Sequence, residues 1–291
     1  MRKKPMLAYP VSDKPINYED KVFMQPKLDG VRCLIQANVK RHILTPDLNE
    51  IEVKAYSRTG KEWKNIHHIL EQLVPFFTKY PNVILDGELY NHDLKDDFET
   101  IISLVRRQKP DDIDMLESAD MVQFHCYDII DETKVFEERY KFVFDNLRDK
   151  KSVRTVPTML VSTESQGKVD HARNLDSGYE GSILRTNDVY KCGRSWSLRK
   201  FKDFHDAEAY IIGYEAGKGK REGTIGKFLM QDEDGNKFGC PPGKGFTYKD
   251  MKDMLDNIHK YMGQTATFTY FERTKAGSYR HPLFKCIRDY E

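Results

Sequence analysis

The sequence predicts an α+β protein in two parts: a larger mixed domain over residues 1–203 and a small barrel of OB-fold type over 204–291. Three observations lead there. At about 150 residues per domain, 291 residues make one to two domains. Up to Lys202, helical spacings alternate with short strand-like runs. After it come short strands interrupted by one helix, the texture of a small barrel.

In chain order, Val22–Gln25 and Val31–Gln36 read as strands around a turn at Leu28-Asp29-Gly30, since Asp-Gly marks turns. Asn65–Tyr80 places Ile66, Ile69, Leu70, Leu73 and Val74 at helical spacing, and Pro75 is expected to kink or end that helix. Val83–Leu85 and Leu89–Tyr90 bracket a second Asp-Gly. Phe98–Arg106 and Val135–Asn146 read as helices, Met121–Ile130 as a buried strand, Ser165–Leu175 as a short helix and Glu180–Arg185 as a strand. Past Lys202, Ala209–Tyr214, Thr224–Gln231 and Thr265–Phe271 read as strands, Tyr248–His259 as a helix, and GKGKREG and DEDGN as turns. The boundary is placed near Asp203 on texture alone.

Composition excludes several classes. Lys+Arg 47 against Asp+Glu 46 leaves +1, so bulk charge does not announce a nucleic-acid binder, although local clusters still set the field in a groove. Aromatics at 12% and near-zero net charge argue for a folded core over disorder. Cys33, Cys126, Cys192, Cys240 and Cys286 are scattered, with no CxxC pair, which argues against a thiolate zinc site and fits a reducing compartment. The start lacks the apolar run of a signal peptide, and no stretch approaches the ~18 apolar residues of a membrane helix. An intracellular protein without membrane association is expected. The nine histidines form no ligand spacing and read as structural; Trp63 and Trp196 read as packing anchors.

Lys27, in PKLDGVR, sits at a strand end, and an amine there becomes a nucleophile when desolvation or nearby cations lower its pKa. Asp29 shares its face if the strand alternates. By itself the motif far more often marks an exposed hairpin lysine. SRTGKEW places Arg58 in a plausible phosphate-facing turn. LDGELY offers Asp86 and Glu88. LRKFK puts Lys200 and Lys202 on one side of a strand, a costly approach unless an anion lies between them or solvent covers them. Each of these segments also has a bland reading as a solvated turn or strand.

Taken in order, PKLDGVR, SRTG, LDGELY, Tyr127-Asp128, EGSILR and LRKFK resemble the nucleotidyltransferase motifs of ATP-dependent DNA ligases, over nearly the whole chain and closest to the two-domain viral and phage type. YKCGRS and DAEA share the likeness. The resemblance implies a nucleotidyltransferase domain of ATP-grasp-like ligase type, with antiparallel sheets and flanking helices, followed by an OB-fold. It implies that Lys27 attacks the ATP α-phosphate to form lysyl-AMP, and that Asp29 orients Lys27 and the nick 3′-hydroxyl. Arg32 would contact the ribose of AMP or the nick, and Arg58 and Arg194 the nick 5′-phosphate. Glu88 would bind ribose near the metal, Tyr127 stack on adenine, Glu180 serve as metal carboxylate, and Lys200 and Lys202 hold the α-phosphate.

Independent of the name, nucleotidyl transfer needs an in-line nucleophile and cations around the phosphate, and Mg²⁺ (or Mn²⁺) needs few protein carboxylates. ATP is favoured over NAD as the cofactor: only 26 residues precede Lys27, and no cysteine quartet follows. The implied partner is nicked duplex DNA, met by a monomer, with no protein partner inferable. Residues 191–202 hold five cations and no acid, and Lys218, Lys220, Arg221 and Lys227 form a second basic group that could track phosphates. GYEAGKGKREGTIGKF stands where some relatives carry a long insertion that latches around DNA, so nick grip is expected to rest on Lys218, Lys220 and Arg221. YRHPLFKCIRDYE resembles the last ligase motif, whose arginine, with a more distal acid or lysine, orients pyrophosphate: Arg280 matches that arginine and Arg288 a second position, but Asp289 is followed by Tyr290 and Glu291 instead of a basic residue. The rivals are an mRNA-capping guanylyltransferase, an RNA ligase, or a non-catalytic OB-type nucleic-acid-binding protein; intact Lys27, Glu180, Lys200 and Lys202 speak against the last.

Overall fold

Alternating apolar residues build three five-stranded sheets, two in the first part of the chain and one in the second. The computed structural model describes residues 3–40, 50–95, 97–147, 150–202, 205–243, 245–271, 273–274 and 277–288. The chain divides into the units Met1–Phe201 and Lys202–Glu291; Asp203, where the boundary is expected, lies outside the described residues.

In the first unit, one sheet runs β1 (Met6–Pro10), β10 (Gly193–Phe201), β9 (Gly181–Thr186), β2 (Val22–Lys27), β8 (Met159–Val161). The other runs β4 (Glu50–Tyr56), β3 (Val31–Lys40), β5 (Ile84–Tyr90), β6 (Gln123–Ile129), β7 (Val153–Thr155). The Leu28-Asp29-Gly30 turn does not close a hairpin. β2 pairs with β8 and β9, and β3 with β4 and β5, so the turn carries the chain from one sheet to the other. Gly30 is needed there because a Cβ would come within 2.4 Å of the Leu89 carbonyl oxygen. The second Asp-Gly is not a turn. β5 runs straight through it, with a register shift against β6 between Asp86 and Gly87. A Cβ on Gly87 would meet the His125 carbonyl oxygen at 2.4 Å and the Phe124 ring at 2.5 Å.

The second sheet packs on helix α1 (His67–Lys79) through Ile35, Leu85, Phe124, Leu73 and Phe77, all fully buried, each such side chain contributing about 1.5–3 kcal/mol. Pro75 lies inside α1 without ending it. It is on the exposed side, as is Glu71, whose carbonyl loses its partner to the missing N–H and can turn to water. Helices α2 (Phe98–Val105), α4 (Phe136–Asn146) and α5 (Glu164–Asp176) lie where the periodicity puts them. Helix α3 (Asp112–Met121) is not foreseen; a reciprocal capping box between Asp111 and Asp114 starts it.

The second unit is an antiparallel sheet in the order β13 (Lys237–Cys240), β12 (Ile225–Gln231), β11 (His205–Ala216), β14 (Thr265–Tyr270), β15 (Leu283–Ile287), with helix α6 (Tyr248–Asp256) against β12. The ladders do not close into the expected barrel. The far edges meet at one parallel bridge, Pro242 to Phe284, with the Phe284 N–H donating to the Pro241 carbonyl at 2.8 Å. Phe228, Phe238, Phe268, Tyr279 and Phe284 fill the inner face. No helix among the described residues is long and apolar enough to cross a membrane.

Candidate active site

A cavity of about 220 Å³ opens between the two sheets of the first unit. β2 brings Lys27, β3 Arg32, the turn after β4 Arg58, β5 Glu88, β6 Tyr127 and β10 Lys200, so six residues expected from sequence line one space. Gln25 and Arg185 also line it and were not foreseen. Arg185 stands five residues past Glu180 in EGSILR, and a buried arginine on a strand facing a motif lysine's strand is the signal that could have marked it.

Lys27 is the last residue of β2, opposite Gly181, and its ammonium contacts the Glu180 carboxylate. The Glu180 side chain is only 5% exposed and the Lys27 side chain 20%. The carboxylate expected to take a metal therefore holds the expected nucleophile. Among the described residues no three His, Cys, Asp or Glu side chains gather as a metal cluster. Glu88 lies opposite Arg32 in the β3–β5 ladder and accepts a hydrogen bond from the Tyr127 hydroxyl at 3.2 Å. Burial pushes its carboxyl up to about 8, against the opposing pull of Arg32 and Tyr127. The Tyr127 ring carries the Arg32 guanidinium at 5.1 Å and that of Arg185 at 5.4 Å.

Two buried carboxylates hold these arginines. Asp86 takes both nitrogens of a bidentate Arg32 at 2.6 and 2.7 Å, so it anchors an arginine instead of joining Glu88 as a second open acid. Burial favours neutral Arg32, but Asp86 overrides it and raises the guanidinium well above its ordinary value. Asp128 binds Arg139 at 2.7 and 3.1 Å and Arg185 at 2.8 Å. Arg185 in turn donates to the Gln25 side-chain oxygen at 2.8 Å, and Gln25 donates to the Tyr127 carbonyl at 3.1 Å.

A second cavity of about 550 Å³ brings Arg58 and Arg194 together with Lys3, Lys4 and Thr59. Arg58 and Leu7 line both cavities. The Ser57–Gly60 turn presents Arg58: the Gly60 N–H donates to the Ser57 carbonyl at 3.0 Å, and Gly60 has φ 106. Arg194 donates to the Ala8 carbonyl at 2.8 Å and lies 5.4 Å from the Tyr9 ring centroid. Trp63 is buried as expected, but Trp196 is 42% exposed, stacked on Tyr9 at 3.7 Å.

Asp29 is half-buried in the turn between the sheets. The remaining expected residues belong to the second unit. Lys202 lies just past the end of β10, its ammonium 4.1 Å from the Phe271 ring centroid. The Arg280 carbonyl accepts from the Phe271 N–H at 3.0 Å. Arg288 pairs with Glu208. Lys218, Lys220 and Arg221 are exposed in the turn after β11, and Asp289, Tyr290 and Glu291 lie outside the described residues.

Two family models match the chain: "ATP dependent DNA ligase domain" over residues 5–202 and "DNA ligase OB-like domain" over 216–288. A DNA ligase of Enterobacteria phage T6 is 26% identical, over 89% of this chain and 62% of the phage protein. A DNA ligase of African swine fever virus (isolate Tick/South Africa/Pretoriuskop Pr4/1996) is 26% identical, over 78% of this chain and 58% of its own length. The chain thus spans about three fifths of these relatives. A solved structure described as "DNA binding with a minimal scaffold: Structure-function analysis of Lig E DNA ligases" superposes with a TM-score of 0.75 at 23% identity, covering 99% of this chain and 100% of that one. Pmar-Lig_PreS3 gives 0.78 at 24%, covering 98% and 67%. These two share the fold, a nucleotidyltransferase unit followed by an OB-like one. The model matching residues 5–202 covers more than half of the sequence, and this chain belongs to the ATP-dependent DNA ligase family.

Proposed function

We propose that the chain seals 3′-OH/5′-phosphate nicks in duplex DNA, using ATP and passing through lysyl-AMP and DNA-adenylate. The observation that carries this reading is Lys27 on a cavity it shares with Arg32, Arg58 and Lys200. Lys27 is the nucleophile toward the α-phosphate, and Lys200, with Lys202, supplies cations for its oxygens. Glu88 binds the ribose; burial raises its carboxyl to about 8, so in its protonated form it can donate a hydrogen bond as well as accept one. Tyr127 offers its ring to adenine. Asp29 orients Lys27, and Arg280 steadies the leaving pyrophosphate. Arg58 and Arg194, in the second cavity, take the nick 5′-phosphate. Residues 1–203 act as the adenylyltransferase domain and 204–291 as the OB domain, in an intracellular monomer.

A hard cation such as Mg²⁺ or Mn²⁺ takes oxygen ligands and keeps water and phosphate in its shell. Glu180, at the Lys27 ammonium, and Glu88, on the cavity that Lys27 lines, are oxygen donors of that kind, Glu88 once it gives up its proton, so the donor chemistry fits. When bound, the cation would neutralise triphosphate charge.

Incubation with α-labelled ATP and Mg²⁺, followed by denaturation, is expected to leave label on the protein, with none on Lys27→Ala; no label from ATP would sink the reading, and label from GTP alone would make it a capping enzyme. A nicked duplex then reads sealing. Reversing Lys218, Lys220 and Arg221 to Glu is expected to weaken nick binding and flatten its salt dependence by about 0.9 for each phosphate no longer neutralised; an unchanged slope would remove that turn from the DNA surface.

A further inference from the structure

We propose that Tyr190 is a positioning residue whose hydroxyl clamps strand β1 to the Asp86–Arg32 pair and so fixes the β1 segment whose Ala8 carbonyl holds Arg194 in the second cavity. For its kinetic readout the proposal rests on the ligase reading; the clamp itself does not.

Tyr190 is 1% exposed. Its hydroxyl donates to Asp86 Oδ2 at 2.7 Å and accepts from the Met6 N–H at 2.7 Å. Arg32, bound to both oxygens of that carboxylate, donates to the Met6 carbonyl at 3.1 Å. Both polar groups of one β1 residue are therefore held by side chains that share one acid, in a closed ring of Met6, Tyr190, Asp86 and Arg32. The next residues carry the consequence: Leu7 lines both cavities, Ala8 lines the first, and the Ala8 carbonyl takes Arg194. β1 needs such a clamp. It is an edge strand, paired among the described residues only with β10, in parallel, and its register slips between Ala8 and Tyr9. Burial raises the Tyr190 phenol well above its ordinary value, so it remains a donor.

The bland alternative is that Tyr190 fills space beside Met6 and Leu198. Tyr190→Phe keeps the ring and removes only the hydroxyl, leaving the buried Met6 N–H without its acceptor and Asp86 with one donor fewer. Three measurements on the full chain follow. Amide exchange at Met6–Ala8 should quicken about tenfold or more. Lysine adenylylation should stay within about threefold of wild type, while KM for a nicked duplex, read with pre-adenylylated enzyme, should rise about tenfold. Ile69→Val, a core change in the same unit with no link to β1, should show no such split between steps. Unchanged exchange at Met6–Ala8, or a slowing of both steps alike as in Ile69→Val, overturns the proposal. Should wild type not seal nicks at all, the ligase reading fails while exchange still decides the clamp.

Discussion

The two units bury different things. Between the sheets of the first unit lie Asp86 and Asp128, both fully buried, with Arg139 at 1% and Arg185 at 3% exposure. The inner face of the second is aromatic and aliphatic, with Ile225, Phe228 and Phe268 fully buried and Asp232 as its one buried charge among the described residues. Burying an ion pair costs desolvation that the attraction barely offsets, whereas apolar burial stabilises outright. The first unit accepts that cost where geometry matters: its charges fix Arg32, Arg185 and Gln25 around a cavity. The second holds one buried acid, Asp232, with Tyr279, Asn236 and the half-exposed Arg273, and gains most of its order from packing.

The comparison breaks most visibly at Asp128. Asp128→Asn leaves Arg139 and Arg185 buried without their carboxylate and is expected to cost about 3–5 kcal/mol, read by urea unfolding. A loss below about 1 kcal/mol would mean that water reaches the network and that it is not a dry interior site.

A pH profile tests the same interior. The Glu88 carboxyl moves from 4.5 to about 8 because it is buried, so between those values the folded chain keeps a proton that the unfolded chain has lost. Its stabilisation is complete below pH 4.5 and is lost as pH rises through 8, by at most about 1.4 kcal/mol per pH unit. His125, lowered from 6.5 to about 4 by burial and then by Arg154, acts oppositely, and its stabilisation is lost as pH falls from 6.5 to 4. From pH 6.5 to 8 the Glu88 slope stands alone of the two. Wild type should therefore weaken over that interval relative to Glu88→Gln; a constant difference between the two would contradict the burial of this acid.

In the second unit, Ile225→Val removes one buried methylene and should cost about 0.5–1.5 kcal/mol at any pH, the smallest of these effects. A marked pH dependence there would point to a charge in that core.

What could be read from the sequence follows from the range of the forces involved. Helices α1, α2 and α4 bury a stripe, and a stripe is written in spacing. Helix α3 buries little beyond Ser118, so its signal was the Asp111–Asp114 cap, a polar pattern easily taken for a charged loop. Both Asp-Gly pairs read as turns because that dipeptide is local. What decides Gly87 is the approach of His125 and Phe124, nearly forty residues on. The same holds in the site. Lys27, Arg32, Glu88, Tyr127 and Lys200 stand in motifs, and so do Asp128 and Arg185, but nothing in the spacing shows that Asp128 meets Arg139 and Arg185 across 11 and 57 residues. The Lys27–Glu180 pairing, at 153 residues' separation, was likewise invisible, though each residue stands in a motif of its own.

The parallel pairing of β1 with β10 also sets an order of events during synthesis. Met6 and the hydroxyl that holds it are 184 residues apart, so the strand leaves the ribosome without a partner. At about 5–20 residues per second, its ladder is translated on the order of 10–40 s later. Closing so long a loop is a late, slow step. The wall of the cavities cannot form before β10 is made, so a nascent chain that already holds the α1 core has no complete site until β10 arrives.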